Sequence, residues 1–244
     1  NAQSISIYTI ISPDIDKSFH LFKDIQHVES DEELLKFDTA EVCLVNAVGS
    51  LPGDKLRTNI FQKFSIAGYS FLSVISERSS LSSSVFFGEG VQIMPGVIVN
   101  ANVRVGNNSI INSGSILEHD CQIGENVHVA PGVTLCGGVM CGDNVHIGTG
   151  ANVIQGVTIG CGAQVGAGVT LTTDLSPGEK VYVAKDVNKN VNKARLRQNE
   201  QTRQSDDKLA WMLSKNWADI LEKFIKASFL NNNFNKEDWM KDII

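Results

Sequence analysis

Three of the five histidines, His119, His128 and His146, fall in the middle of the chain, and the first is followed directly by Asp120. A histidine beside a carboxylate is a proton-transfer pair. A neutral imidazole takes the proton from an attacking amine or hydroxyl near pH 7, and the carboxylate orients the ring. His128 and His146 stand eighteen residues apart and open a second chemistry, because two stacked imidazoles with a third from a neighbouring chain would hold a metal ion. The cysteines, Cys43, Cys121, Cys136, Cys141 and Cys161, form no CxxC pair, so a thiolate zinc site is not indicated and they read as small core residues of a reducing compartment. Glycine pairs such as Gly148/Gly150 and Gly166/Gly168 resemble a phosphate loop only until their register is considered.

The register comes from an aliphatic residue at every sixth position: Leu81, Phe87, Ile93, Val99, Val105, Ile111, Leu117 and onward to Leu171, with Cys141 the one thiol in the column. No amphipathic helix has that period. Four residues after each aliphatic stands a second small or apolar side chain, from Val91 to Leu175, and the position between them is Gly, Asn or Asp from Gly90 to Asp174. Those three residue types best tolerate φ > 0. Short strands joined by tight corners, with the apolar side chains always inward, make a parallel β-helix of about five coils if three hexads form one turn.

This repeat sorts the candidate chemistry. His119 is the second residue after Leu117, at a corner that points outward. Gly137 lies eighteen residues on, one coil higher at a strand spacing of about 4.8 Å. A glycine there leaves a bare N–H and room for a ligand beside the imidazole. Asp120 falls in the corner column, so corner geometry alone accounts for an aspartate. His128 and His146 occupy the last place of their hexads and stack on a flat side, and the paired glycines are corner residues.

The predicted fold is mixed: a small α/β Rossmann-like unit over 1–76, a left-handed parallel β-helix over 81–183 and an α-helical extension over 192–244. In the first unit Ser4–Ile11 reads as a strand, Asp31–Leu35 as helical, Val42–Val48 as a short apolar run, Lys55–Phe64 as amphipathic and Phe71–Ile75 as a last strand. The Ser-rich stretch Ser76–Ser84 marks the boundary. In the extension Leu209, Leu213, Trp217, Ile220, Leu221, Phe224 and Ile225 keep helical spacing after Ser205, and a second short helix starts near Asn235. A formal net charge of −6 over 244 residues gives no electrostatic case for nucleic acid. With neither a signal-like leader nor an apolar run of about 20 residues, the expectation is a cytoplasmic protein without a membrane segment.

The stretches Ile111-Asn112-Ser113-Gly114, Glu118-His119-Asp120-Cys121, Ile123-Gly124-Glu125-Asn126-Val127-His128, Gly137-Gly138 and Gly142-Asp143-Asn144 closely resemble the bacterial hexapeptide-repeat sugar acetyltransferases. The group in question is that of the sialic acid O-acetyltransferases and nucleotide-sugar N-acetyltransferases, which are left-handed β-helix trimers. The resemblance spans residues 5–183. It implies acetyl-CoA as co-substrate, no metal, His119 as general base and Asp120 as the acid that polarises it. It places His128, Gly137, Thr149 and Ala167 on acetyl-CoA. Val45-Asn46-Ala47-Val48-Gly49-Ser50 followed by Arg57 looks like the second signature of the nucleotide-sugar domain, so Gly49, Ser50 and Asn112 are its implied substrate contacts. The closely spaced histidine pair of the gamma-class carbonic anhydrases, which share this architecture, is absent.

Three features depart from the family. The expected first strand and Gly-rich turn have no counterpart, since the chain opens at Asn1 near the second strand. Val181-Tyr182-Val183-Ala184 replaces a Gly-x-Pro-Ala segment. The tail beyond Asn192 is additional. The implied activity is N-acetylation of a nucleotide-linked 4-amino sugar for bacterial surface glycan synthesis. O-acetylation of sialic acid or a related sugar is one alternative, and a non-catalytic solenoid scaffold is the other. Thr149 and Ala167 fall on a different prism edge from His119 and Gly137, which places the implied site between subunits of a homotrimer.

Overall fold

A computed structural model describes residues 7–13 and 24–183. Its first part follows the expected alternation of strands and helices in short pieces. Thr9–Ile11 pairs in parallel with Gln26–Val28. Ser30, whose Oγ accepts from the Glu32 N–H, caps a 3-10 turn over Asp31–Lys36. Cys43–Leu44 then runs parallel to Ser70–Phe71, with the helix Leu56–Ile66 between them. Asp54 Oδ1 accepts from the Leu56 N–H at 2.8 Å just before that helix. Its buried stripe is Arg57, Phe61 and Phe64. Leu34, Phe61, Phe64, Tyr69 and Phe71 form a small core, and the Tyr69 hydroxyl donates to the Leu34 and Phe37 carbonyls. The Rossmann-like expectation is not confirmed. Among the described residues the two strand pairs stay separate and do not merge into one parallel sheet.

The solenoid stacks on three flat faces. The first holds Val74–Ile75, Gln92–Ile93, Ile110–Ile111, His128–Val129, His146–Ile147, Gln164–Val165 and Lys180–Val181; the second runs from Ser80–Leu81 to Thr170–Leu171, and the third from Phe86–Phe87 to Thr158–Ile159. The faces carry seven, six and five strands, all parallel. Through Leu171 each residue pairs with the one eighteen positions away, as Val105 does with Ile123 and Leu117 with Leu135. The stack opens earlier than the hexad column alone indicates. Val74–Ile75 already pairs with Gln92–Ile93, so this pair belongs to the first coil and not to the α/β unit.

Both inward columns are buried in one continuous core. Two serines sit in it at full burial because each finds a partner: Ser109 Oγ donates to the Gly124 carbonyl and Ser115 Oγ to the Ala130 carbonyl, both at 2.9 Å. The corners behave as predicted for Asn102, Asn108, Asp120, Asn126 and Asn144, whose φ values lie between 55° and 63°. Asp174 is the exception, with no left-handed backbone. The final coil is two residues shorter, so that Ile159 pairs with Leu175 and Gln164 with Lys180, and Asp174 instead uses Oδ1 to accept from the Thr158 N–H. The helical extension over 192–244 lies outside the described residues. No helix among those described is long and apolar enough to cross a membrane.

Candidate active site

His119 and Asp120 form the corner between the second and third faces. His119 Nδ1 lies 2.8 Å from Asp120 Oδ2. A carboxylate only accepts, so Nδ1 carries the hydrogen, and in the neutral ring Nε2 keeps the lone pair. The hydrogen bond from His119, and after it the amide of Asn102, hold the Asp120 carboxyl below its usual range. Asn102 is the corner residue one coil below, and its Nδ2 reaches Asp120 Oδ1 at 3.2 Å. Nothing in the chemistry of the hexads singled out Asn102; its place eighteen residues before Asp120 was the available signal.

Gly137 occupies the position above His119, as the repeat requires. A Cβ there would stand 2.7 Å from Cε1 and 2.8 Å from Nε2 of the imidazole. The ring therefore lies across the space that a side chain would fill. The Gly137 N–H makes no hydrogen bond within the described residues, whereas the next N–H, of Gly138, donates to the His119 carbonyl. The edge thus combines an oriented imidazole, an open N–H and access to solvent.

A second cluster is built on the first face, where the α/β unit docks. His128 Nδ1 lies 2.7 Å from the Ser50 carbonyl, to which it must donate. In the neutral ring Nε2 is then an acceptor, approached by Asn112 Nδ2 at 3.4 Å. His146 stands one coil above, its ring edge-on to His128 at 4.9 Å between centroids, and its buried Nδ1 has no partner among the described residues. Burial chiefly, then the neighbouring His146 and Arg57, push His128 down to about 4, and burial lowers His146 as well. Among the described residues no group of three or more His, Cys, Asp or Glu side chains is placed to hold a metal.

Arg57 holds this second cluster together. The guanidinium is buried and donates to the carbonyls of Asn46, Val48, Gly90 and Asn108. Burial lowers it to about 9, which leaves it charged at neutral pH. Asn46 Nδ2 contacts Asn108 Oδ1, and Gln92 Nε2 donates to the Asn46 carbonyl. The segment from Asn46 to Ser50 is thereby fixed over the first face. Gly49 and Ser50 lie half-buried there, in the same cluster as Asn112 and His128. Thr149 and Ala167 are exposed corners stacked on the edge between the first and second faces, joined by the Gly168 N–H donating to the Thr149 carbonyl. One chain therefore brings the predicted residues into three groups: His119, Asp120 and Gly137; Ser50, Asn112 and His128 with Gly49; and Thr149 with Ala167.

Residues 84–119 and 104–137 match the bacterial transferase hexapeptide family, six repeats. The match is confined to these repeats of the β-helix. Solved structures extend the likeness beyond the matched repeats. A mutant of perosamine N-acetyltransferase from Caulobacter crescentus, in complex with CoA and GDP-perosamine, is 27% identical, with a TM-score of 0.61 over 74% of this chain and 95% of that one. WeeI from Acinetobacter baumannii is 26% identical, with a TM-score of 0.58 over 66% of this chain and 76% of that one. The acetyltransferase domain of PglB from Neisseria gonorrhoeae is 25% identical, with a TM-score of 0.59 over 65% of this chain and 76% of that one. No curated protein matches the chain.

Proposed function

We propose that this protein is a hexapeptide transferase that moves the acetyl group of acetyl-CoA directly onto the amine of a nucleotide-linked amino sugar. The observation that carries the reading is the His119 imidazole, fixed through Nδ1 by Asp120, with Nε2 beside Gly137 and without a hydrogen-bond partner among the described residues. The acceptor nitrogen attacks the thioester carbonyl carbon while Nε2 takes its proton. The open N–H of Gly137 stabilises the oxyanion. The C–S bond then breaks, and the leaving thiolate takes up the proton from His119. No covalent enzyme intermediate is required.

The perosamine N-acetyltransferase structure bound to CoA and GDP-perosamine supports both substrates by likeness. Within the nucleotide-linked amino sugars we favour a 4-amino sugar made for a surface glycan, in the cytoplasm where acetyl-CoA is present. His128 contacts the acetyl end as a neutral ring, Thr149 and Ala167 contact the rest of acetyl-CoA, and Gly49, Ser50 and Asn112 face the sugar nucleotide. Because His119 with Gly137 and Thr149 with Ala167 stand on different edges of one convex prism, a complete site forms between adjacent subunits of a homotrimer. The test is CoA release from acetyl-CoA against a panel of nucleotide-linked 4-amino sugars, their hydroxyl counterparts and sialic acid. An amide product supports the proposal. Ester formation only, on sialic acid or a related sugar, replaces it with O-acetylation, and no turnover with any acceptor replaces it with a scaffold role.

A further inference from the structure

The corner below the base carries a group that the proposed reaction does not use. Asn102 and Asp120 are successive residues of one corner column, with φ of 60° and 63°. A glycine satisfies that backbone equally well, as it does one coil higher at Gly138, φ 70°. The amide of Asn102 is therefore surplus to the corner, yet it spans the coil gap to Asp120 Oδ1 while Oδ2 faces His119. The Asn102 backbone N–H donates to Ser84 Oγ at 3.0 Å. The edge between the third and first faces supplies a contrast, since Asn108 there reaches Asn126 Oδ1 at 2.8 Å across the same interval, and among the described residues no hydrogen bond runs on from Asn126 to a histidine.

From this geometry we infer that Asn102 is a positioning residue for the proton-transfer pair: it fixes the Asp120 carboxylate so that Oδ2 stays on His119 Nδ1. The inference rests on His119 being the base. A carboxylate on an open corner rotates about its Cα–Cβ and Cβ–Cγ bonds. Occupying one oxygen leaves the other aimed at the imidazole, which keeps the ring in the Nδ1–H form and Nε2 free to accept a proton. Among the described residues His119 is bonded to Asp120, and Glu118 and Cys136 are the ionisable residues of the adjoining column. Glu118 Oε2 is itself held by Asn100 Nδ2 at 2.8 Å, so Asp120 is the carboxylate that Asn102 governs.

The test reads the ring directly and needs no acceptor. In the full-length protein labelled with 15N-histidine, long-range proton–nitrogen spectra follow tautomer and protonation against pH, with the His119 signals assigned by their loss in His119→Ala. Asn102→Gly keeps the left-handed corner and deletes the amide, so the Nδ1–H population of His119 falls. Asn102→Asp keeps the corner and sets a second carboxylate against Asp120, so the His119 titration moves to higher pH. Asn126→Gly is the corner control and leaves the His119 signals as in the wild type. Should Asn102→Gly fail to fold, Asn102→Asp carries the test alone. Unchanged His119 tautomer and titration in the folded Asn102 variants overturn the inference. A His119→Ala protein that still acetylates overturns instead the reading on which it rests.

Discussion

His119 and His128 are nine residues apart in one coil, and the fold makes opposite use of them. His119 is at a corner, about two-thirds exposed, and among the described residues its ring is bonded to a carboxylate. His128 is on a flat face beneath the docked α/β unit, bonded to a backbone carbonyl and crowded by a second imidazole and a buried guanidinium. An imidazole that must take up and release a proton during a reaction needs a partner that welcomes the charged form, and Asp120 is such a partner. An imidazole that must stay neutral needs burial and like charge, which is what surrounds His128. Place in the hexad decides which of the two a histidine becomes.

The largest break in the comparison is at His119. His119→Ala removes the proposed base and leaves the repeat intact, because the side chain contributes nothing to the core. We expect kcat to fall roughly 10²- to 10⁴-fold with the thermal midpoint unchanged, measured by CoA release and by thermal unfolding. A rate near that of the wild type removes His119 from the mechanism.

At His128 the expected effect is on stability and depends on pH. Its folded-state pKa, about 4, lies below the ordinary histidine value of about 6.5, so the unfolded chain binds the proton more tightly. The stability that comes from keeping this ring neutral is fully present above about 6.5 and is lost as pH falls toward 4, amounting to roughly 3 kcal/mol. His146, also lowered, adds in the same direction. Urea unfolding between pH 7.5 and 4.5 should show this decline, and His128→Gln should flatten it. A wild-type curve with no decline in that window means that His128 is not held neutral, and the contrast with His119 collapses.

These two histidines also show what could be read without the fold. Repeat position alone put His119 outward, Gly137 above it and Asp120 in a left-handed corner, because a solenoid converts a spacing of eighteen into contact. Ser109 and Ser115 could be buried in an apolar column for the same reason, each meeting a carbonyl of the next coil. The short last coil, with Asp174 out of the corner conformation, was not legible, since the hexad column continues through Leu171 and Leu175 without a break. Nor was the role of Arg57. Its four carbonyl partners come from the α/β unit and from two coils of the solenoid, and no local period relates them. The separate strand pairs near the start were hidden likewise, because alternation of strand and helix does not state which strands share a sheet.

The finest test of the comparison separates two adjacent glycines. Gly137 lies outside the left-handed region, so alanine is conformationally free there, but its Cβ would meet the His119 ring at 2.7 Å. An exposed imidazole can swing away at little cost, and Gly137→Ala should therefore change stability by no more than about 0.5 kcal/mol. The swing moves Nε2 off the open N–H, and misplacement of this kind should lower kcat roughly tenfold. Gly138, with φ 70° and no atom within 4 Å of a built Cβ, predicts the reverse. Gly138→Ala strains the corner by about 1 kcal/mol and leaves the imidazole untouched, so unfolding should register it while kcat hardly moves. Paired kinetics and thermal unfolding on the two variants distinguish a glycine kept for the reaction from one kept for the turn. Equal rates would mean that His119 works from a ring position other than the one lying over Gly137.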